Sequence, residues 1–328
     1  MLKSCRHLFA HHEFWLAVLI VLLSVFLSIT NEDFMTLGNV FDMTTSTAIL
    51  AIMACGLFVV LVSGGIDISF PATAATAQYV MATYVLSQGG NFFIAFAIAA
   101  VVGLLLGLIN ALLIYRLKVP SIIITISTLN VFFGLLIYFT NGEWLYGFPE
   151  WFMDGVEVMS FTGRGLPQTL PILTLIAVVI FTGFLMSKTR VGRQIYAVGG
   201  NADAAKRVGI SILGVMLFVY GYMGALAGIA SVVQTQITQS VAPNALMGFE
   251  LTVLAAVVLG GVSMTGGKGT LTGVILGVAL LAIVKNGLTL AGVPSYWHTV
   301  LTGLIIVISI SFTAYNEKRR AAAGGHLS

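Results

Sequence analysis

Long apolar runs separated by short polar joints set the plan of this chain. A stretch of about 17–25 mainly apolar residues is long enough to cross a bilayer as a helix. Such stretches recur at roughly 14–30, 44–63, 70–87, 92–115, 119–140, 169–187, 211–233, 246–263, 270–291 and 297–315. The pattern predicts an all-α integral membrane protein with about ten transmembrane helices. The third run is the weakest, being short and rich in Ala and Thr, and the second and eighth have soft ends. No soluble enzyme-sized segment separates the runs, so residues 1–328 read as a single transmembrane domain. The first run follows a basic stretch as a signal peptide would. It lacks a clean small-residue cleavage site and many runs follow it, so it reads as a retained first helix.

The polar joints carry the orientation. Lys and Arg collect in short cytoplasmic loops. With both termini inside, Lys3, Arg6, Arg116, Lys118, Lys188, Arg190, Arg193, Lys206, Arg207, Lys268, Lys318, Arg319 and Arg320 all fall on the cytoplasmic side, and only Arg164 falls outside. The expected topology is a cytoplasmic N-terminus (1–13), a large periplasmic loop (141–168), a cytoplasmic loop (188–210) and a cytoplasmic tail (316–328). The periplasmic loop holds Trp144, Tyr146, Phe148, Pro149, Trp151 and Phe152. Such aromatics commonly lie at the membrane surface; a cap over an outer vestibule, or a landing surface for a soluble partner, is the alternative.

The chain is organised around the basic island Lys188 to Ser211. Asn201 suits an N-cap, Asp203 the first turn, and Lys206 and Arg207 the last turn of a short helix. Gly209 suits its left-handed end. Ala204, Ala205 and Val208 are spaced to share one face. Two turns are too few to be stable alone, so flanking helices would hold this one. It reads either as an orienting loop or as a small apolar docking face.

Composition narrows the class. Charged residues are 8% and hydrophobic residues 58%, whereas soluble domains carry about 25% charged residues, so a soluble globule is excluded. The net charge of +3 is small, and no basic face interleaved with aromatics suggests nucleic acid. Cys5 and Cys55 form neither a disulfide framework nor a metal spacing and read as small buried or interfacial hydrophobes. His7, His11 and His12 belong to a loose basic end rather than a metal site. No catalytic motif is present.

Two glycine-paired stretches interrupt the helical pattern, Ser63 to Ser69 and Gly260 to Gly269, and their likeness suggests two pseudo-repeated halves. The second is no phosphate loop, because Val262 stands where its first Gly belongs and Gly269 follows Lys268. Gly103 and Gly107, and Gly224 and Gly228, are each four apart, which suits tight helix crossings. Asp67 reads first as a cap for the next helix. Glu250 and Lys285 need partners inside a membrane, although the Lys285 stem could carry its ammonium to the surface. Gln78, Asn110, Asn130, Gln234 and Asn286 serve either as interhelical glue or, with aromatics such as Phe132, Phe133 and Tyr138, as the lining of a solute path.

In their order and spacing, five stretches together resemble the permease subunits of bacterial ABC importers for ribose and related monosaccharides, in the branched-chain amino acid/ribose permease superfamily. They are LVSGGIDIS (61–69), GLINALLIYRLKVPSIIITISTLNVFFGL (107–135), TRVGRQIYAVGGNADAAKRVGIS (189–211), GFELTVLAAVVLGGVSMTGGKGTLTGVILG (248–277) and NGLTLAGVPSYWHTVLTGLIIV (286–307). The resemblance implies a dimer of permease chains, identical or sibling, in the inner membrane. Two cytoplasmic ATPase subunits would hold ATP and Mg, leaving no cofactor on this chain, and a periplasmic protein would deliver the solute. Lipid surrounds it, and no nucleic acid is involved. Gly199 to Ile210 would be the coupling helix, comprising Gly199, Asn201, Asp203, Ala204, Ala205, Lys206, Arg207, Val208 and Gly209. Candidates for the translocation path are Gly64, Gly65, Asp67, Asn110, Asn130, Phe133, Glu250, Lys285 and Asn286. The chain departs from the family pattern at Thr252, where an acidic residue is usual after the GFEL stretch, at Lys285-Asn286 and at the FPATA of 70–74. These departures bear on which solute is carried. The competing reading is a self-sufficient ion-coupled carrier that titrates Asp67, Glu250 or Lys285.

Overall fold

A computed structural model describes residues 12–154 and 169–307, apart from 302 and 306. Its helices are α1 (His12–Thr30), α2 (Leu37–Val62), α3 (Phe70–Gln88), α4 (Phe92–Leu117), α5 (Ser121–Thr140), α6 (Glu150–Met153), α7 (Thr169–Lys188), α8 (Arg190–Gly200), α9 (Ala202–Arg207), α10 (Ile212–Thr238), α11 (Phe249–Leu259) and α12 (Leu271–Leu290). Helical backbone resumes at Ser295. Among the described residues no strand forms beyond one isolated antiparallel bridge between Leu145 and Val241.

The chain is an all-helical membrane protein, and among the described residues seven helices (α1, α2, α4, α5, α7, α10 and α12) are long and apolar enough to cross a bilayer. Each of the first nine expected runs contains one helix. The eighth is shorter than expected. A turn over 243–248 delays its start, and α11 ends at Leu259 because Gly261 takes the left-handed conformation, φ +83°, and the Val262 amide turns back to the Val257 carbonyl; Gly260 beside it packs backbone to backbone against Gly273 of α12. Its eleven residues rise only roughly 16 Å, about half the hydrocarbon thickness. The N-terminal residues 1–11, residues 155–168 with Arg164 and Glu157, and the tail 316–328 lie outside the described residues, as does Cys5.

Helix α2 is the centre of the bundle. From Ala48 to Val62 every residue is buried, Cys55 included. Its apolar sequence has no polar face to turn outward, and a helix hydrophobic all round belongs inside. Around it stand α10, α7, α12, α11 and α8. The weak third run is a mostly buried helix, α3, packed between α4, α5 and α10. Ala and Thr lower its hydropathy, but they let neighbouring helices approach closely. Helix α1 is peripheral. Only Leu16 of it is buried, and it leans on α12, where Leu27 covers Gly287.

The crossing of α4 and α10 is the most extensive helix contact. Cβ atoms at Gly103 and Gly224 would each overlap the other's carbonyl, one at Gly107 would overlap that of Tyr220, and one at Gly228 that of Ala99. The two glycine pairs seen in the sequence are therefore opposite faces of one contact.

The loop after α5 is not a simple surface girdle. Trp144 and Tyr146 are exposed, but Phe148 and Phe152 are buried and stack on each other, and Phe152 also stacks on Phe92. They join Met81, Val85, Val232 and Val241 in a small second core over the ends of α3, α4 and α10. Leu145 and Val241 exchange two backbone hydrogen bonds of 3.0 Å and fasten this cap in place.

Candidate functional site: a basic hairpin joined to the bundle by glycine backbone

The basic island folds as two helices, not one. Thr189 opens α8 by accepting from the Gly192 amide at 3.1 Å, while its hydroxyl donates to the Leu185 carbonyl at 2.7 Å. Gly192 lies against the Leu185 and Met186 carbonyls, so the chain turns sharply from α7 into α8. Ile195 and Val198 of α8 face inward and are buried. Asn201 then caps α9, accepting from the Ala204 amide at 2.9 Å. Asp203 stands in the first turn and Lys206 and Arg207 in the last. Gly209 closes the helix with φ +87°, and the Ile210 amide returns to the Ala205 carbonyl. This is the local design expected from the sequence.

The outward face differs from the expected one. Ala205 is buried and belongs to the main core, whereas Ala204 and Val208 are exposed. Val208 is 77% exposed, a large fraction for an apolar side chain beside two cations. The presented face is thus Asp203, Ala204, Arg207 and Val208, with Ala205 as the anchor.

Behind this face the hairpin meets both glycine-paired stretches. The Gly267 amide donates to the Val62 carbonyl at 2.8 Å. Gly199 is wedged between those two groups: a Cβ there would overlap the Val62 oxygen and stand 2.7 Å from the Gly267 nitrogen. Gly266, at φ +88°, lies against Gly199 and Gly64, and Gly267, at φ +70°, lies against Gly200. The Tyr196 hydroxyl adds a 2.8 Å bond to the Gly269 carbonyl. The end of α2, the 63–69 stretch, the 260–269 stretch and α8 therefore touch through main chain, where side-chain motion cannot absorb a displacement. Tyr196 and Val62 were not singled out in the sequence, because an ordinary Tyr and a carbonyl at a helix end carry no pattern.

Asp67 sits close to this joint and is buried. It accepts from the Ser69 amide at 2.8 Å and the Ser69 hydroxyl at 2.7 Å. It thus shapes the turn ahead of α3. The N-cap residue is Ser69, whose side chain makes no capping bond, and Pro71 follows in the first turn. Burial pushes the Asp67 carboxyl up to about 6, against the pull of the Ser69 hydrogen bonds. Asn110 donates to the Ser69 hydroxyl at 2.6 Å. Ser121 accepts from the Ile66 amide at 2.9 Å, so α4 and α5 both hold this stretch. Gly65 packs under the Tyr220 hydroxyl.

The candidate path residues occupy three separate places. Gly64, Gly65, Asp67 and Asn110 are at the island end. Asn130 is exposed on α5 and bonds back to the Ile126 carbonyl at 2.8 Å, with Phe133 half-buried one turn on. Glu250, Lys285 and Asn286 are at the opposite end. Lys285 shares a crevice with Asp42, and Glu250 does not line it. Asn286 and Asn39 exchange reciprocal amide bonds of 2.9 and 2.8 Å, joining α12 to α2. Gln78 donates to Thr235 at 2.9 Å across α3 and α10. Gln236, fully buried on α10, has neither amide atom hydrogen-bonded among the described residues; no pattern in the sequence sets it apart from Gln234. Among the described residues no group of His, Cys, Asp or Glu is arranged to hold a metal.

Residues 39–310 match the family model of the branched-chain amino acid transport system permease component. The chain belongs to this permease family. The ribose import permease of Escherichia coli (strain K12) is 31% identical over 297 residues, which is 90% of this chain and 91% of the relative. The ribose import permease of Bacillus subtilis (strain 168) is 33% identical over 291 residues, 88% of each chain. The L-arabinose ABC transporter permease of Azospirillum brasilense is 31% identical over 296 residues, 90% of this chain and 86% of the relative. This permease is accordingly a multi-pass inner-membrane component of an ABC importer, and its apolar helices fit that setting.

Proposed function

We propose that this permease is the translocation subunit of an importer for a monosaccharide or a related polyol. It works beside a second permease chain, identical or sibling. ATP and Mg are held by a separate cytoplasmic ATPase, and a periplasmic binding protein delivers the solute. In this reading the bundle crosses the membrane about ten times in two related halves, with both termini and the island in the cytoplasm. The sugar permeases it is similar to support the solute class. One observation carries the coupling role: α9 presents an exposed face to the outside while its hairpin meets the end of α2 and both glycine-paired stretches in direct backbone contact. A displacement imposed on α9 by an ATPase would reach the centre of the bundle without being lost in side-chain rearrangement.

The test is copurification from native membranes in mild detergent, followed by mass spectrometry. Wild-type permease should bring down a stoichiometric ATPase subunit. Ala204→Trp and Val208→Asp, both on the exposed face, should lose it while the permease keeps its melting temperature. An active permease that copurifies with no ATPase, and whose uptake depends on pH through Asp67, Glu250 or Lys285, would establish the ion-coupled carrier instead.

A further inference from the structure

The end of the bundle away from the island carries two adjoining crevices on the seam between α2 and α12. The first, of about 310 Å³, sets polar groups, Asp42 and Ser46 of α2, Thr252 of α11, and Lys285 and Asn286 of α12, against an apolar wall that includes Leu50, Phe249 and Leu281. The second, of about 350 Å³, lies deeper, between α2, α7 and α12, among Leu175, Ile176, Ile180, Val278, Ala279 and Ile283. Met43, Thr47 and Ala282 border both, so the charged crevice continues into the apolar one.

Asp42 and Lys285 are opposite charges in one crevice, yet their side chains make neither an ion pair with each other nor a hydrogen bond to any other described residue. Both side chains are exposed, so each is open to a charged group from outside the chain. The Asn286 amide is already engaged by Asn39, which fixes the crevice wall beside Lys285. We propose that the two crevices together hold one zwitterionic phospholipid. Its phosphate lies on the Lys285 ammonium, its headgroup ammonium on the Asp42 carboxylate, and an acyl chain runs down the apolar crevice. A phosphate on an ammonium and an ammonium on a carboxylate are both charge-assisted contacts. A neutral sugar uses neither charge fully and gains nothing from an apolar slot of that size. An occupant that needs both crevices is amphiphilic. This assignment gives Lys285, Asn286 and Thr252 to lipid rather than to the solute path; the coupling role proposed for α9 does not depend on it.

The experiment uses full-length permease, delipidated in detergent and titrated with phosphatidylethanolamine or phosphatidylglycerol under native mass spectrometry. Wild type should retain one phosphatidylethanolamine with about tenfold preference over phosphatidylglycerol. Asp42→Asn should abolish that preference, because the ammonium loses its partner. Lys285→Gln should weaken both lipids about tenfold. Ala279→Phe, which fills the apolar crevice, should weaken both as well. The first two variants alter exposed side chains and keep the test valid if Ala279→Phe does not fold. Equal binding of both lipids to wild type, Asp42→Asn and Lys285→Gln would mean only unselective annular lipid and would overturn the proposal. So would protection of wild type, lost in Lys285→Gln, by free ribose or free leucine, since the crevice would then take a small solute.

Discussion

Asp67 shows how one buried carboxyl can report on the joint. Its ordinary value of 3.8 rises to about 6 because burial disfavours the charge more than the two Ser69 hydrogen bonds favour it. The folded chain therefore holds this proton more tightly than the unfolded chain. Its contribution to stability is complete below about 3.8 and is lost as pH rises through about 6. Asn mimics the protonated form. The melting temperature of Asp67→Asn relative to wild type, measured in detergent, should rise as pH goes from 4 to 7. If the variant instead falls further behind wild type over that range, the ionised carboxylate is the form the turn requires. The residue was legible as a turn-former ahead of α3, but its burial was not, since that depends on Asn110 and Tyr220 from distant helices closing over it.

At the scale of elements, the α4–α10 crossing makes a sharp demand on residue size. A methyl group at Gly224 meets the Gly103 backbone, and a helix axis cannot rotate away as a side chain can. Gly224→Ala should lower stability by about 1–3 kcal/mol, the usual cost of overpacking. Gly134→Ala is the control. It has open space on α5, and its better helix propensity should leave it neutral or up to about 1 kcal/mol more stable. Thermal unfolding of the two variants in one detergent decides the matter, and equal melting points would mean that the crossing is looser than its geometry. The spacing of these glycines was visible in the sequence; that the two pairs face one another was not. The same division runs through the molecule. The ends of α9 were readable because a cap and a left-handed glycine act within a few residues. Which way Ala205 points was not, because α8 and α10 decide it. The end of α11 is invisible to hydropathy because Val262 continues the apolar run past the left-handed turn at Gly261. Phe148 and Phe152 looked like interfacial aromatics, and only the fold of the loop over α3, α4 and α10 buries them.

For the whole molecule, the question is whether the island moves as part of the bundle or hangs from it. Gly199 and Gly200 separate the two possibilities. They are adjacent in the sequence, yet a Cβ at Gly199 would overlap the Val62 carbonyl while one at Gly200 would meet nothing within 4 Å. Gly199→Ala should pry α8 from the Val62–Gly267 hydrogen bond without altering the exposed face of α9. On the coupling role proposed above, the ATPase should still copurify and hydrolyse ATP, but solute uptake should fall about tenfold, a loss of about 1.4 kcal/mol in coupling. Gly200→Ala should transport like wild type. Tyr196→Phe gives a gentler version. It deletes the bond to the Gly269 carbonyl and adds no volume, so its uptake should fall between the other two, and it keeps the test valid if Gly199→Ala does not fold. Normal uptake in both Gly199→Ala and Tyr196→Phe, with the ATPase bound, would mean that the stroke enters the bundle elsewhere, through α7 or α10 where they flank the island. Loss of the ATPase from Gly199→Ala would instead make the joint a support for the docking face. Only uptake lost with hydrolysis kept identifies the glycine backbone as the link between them.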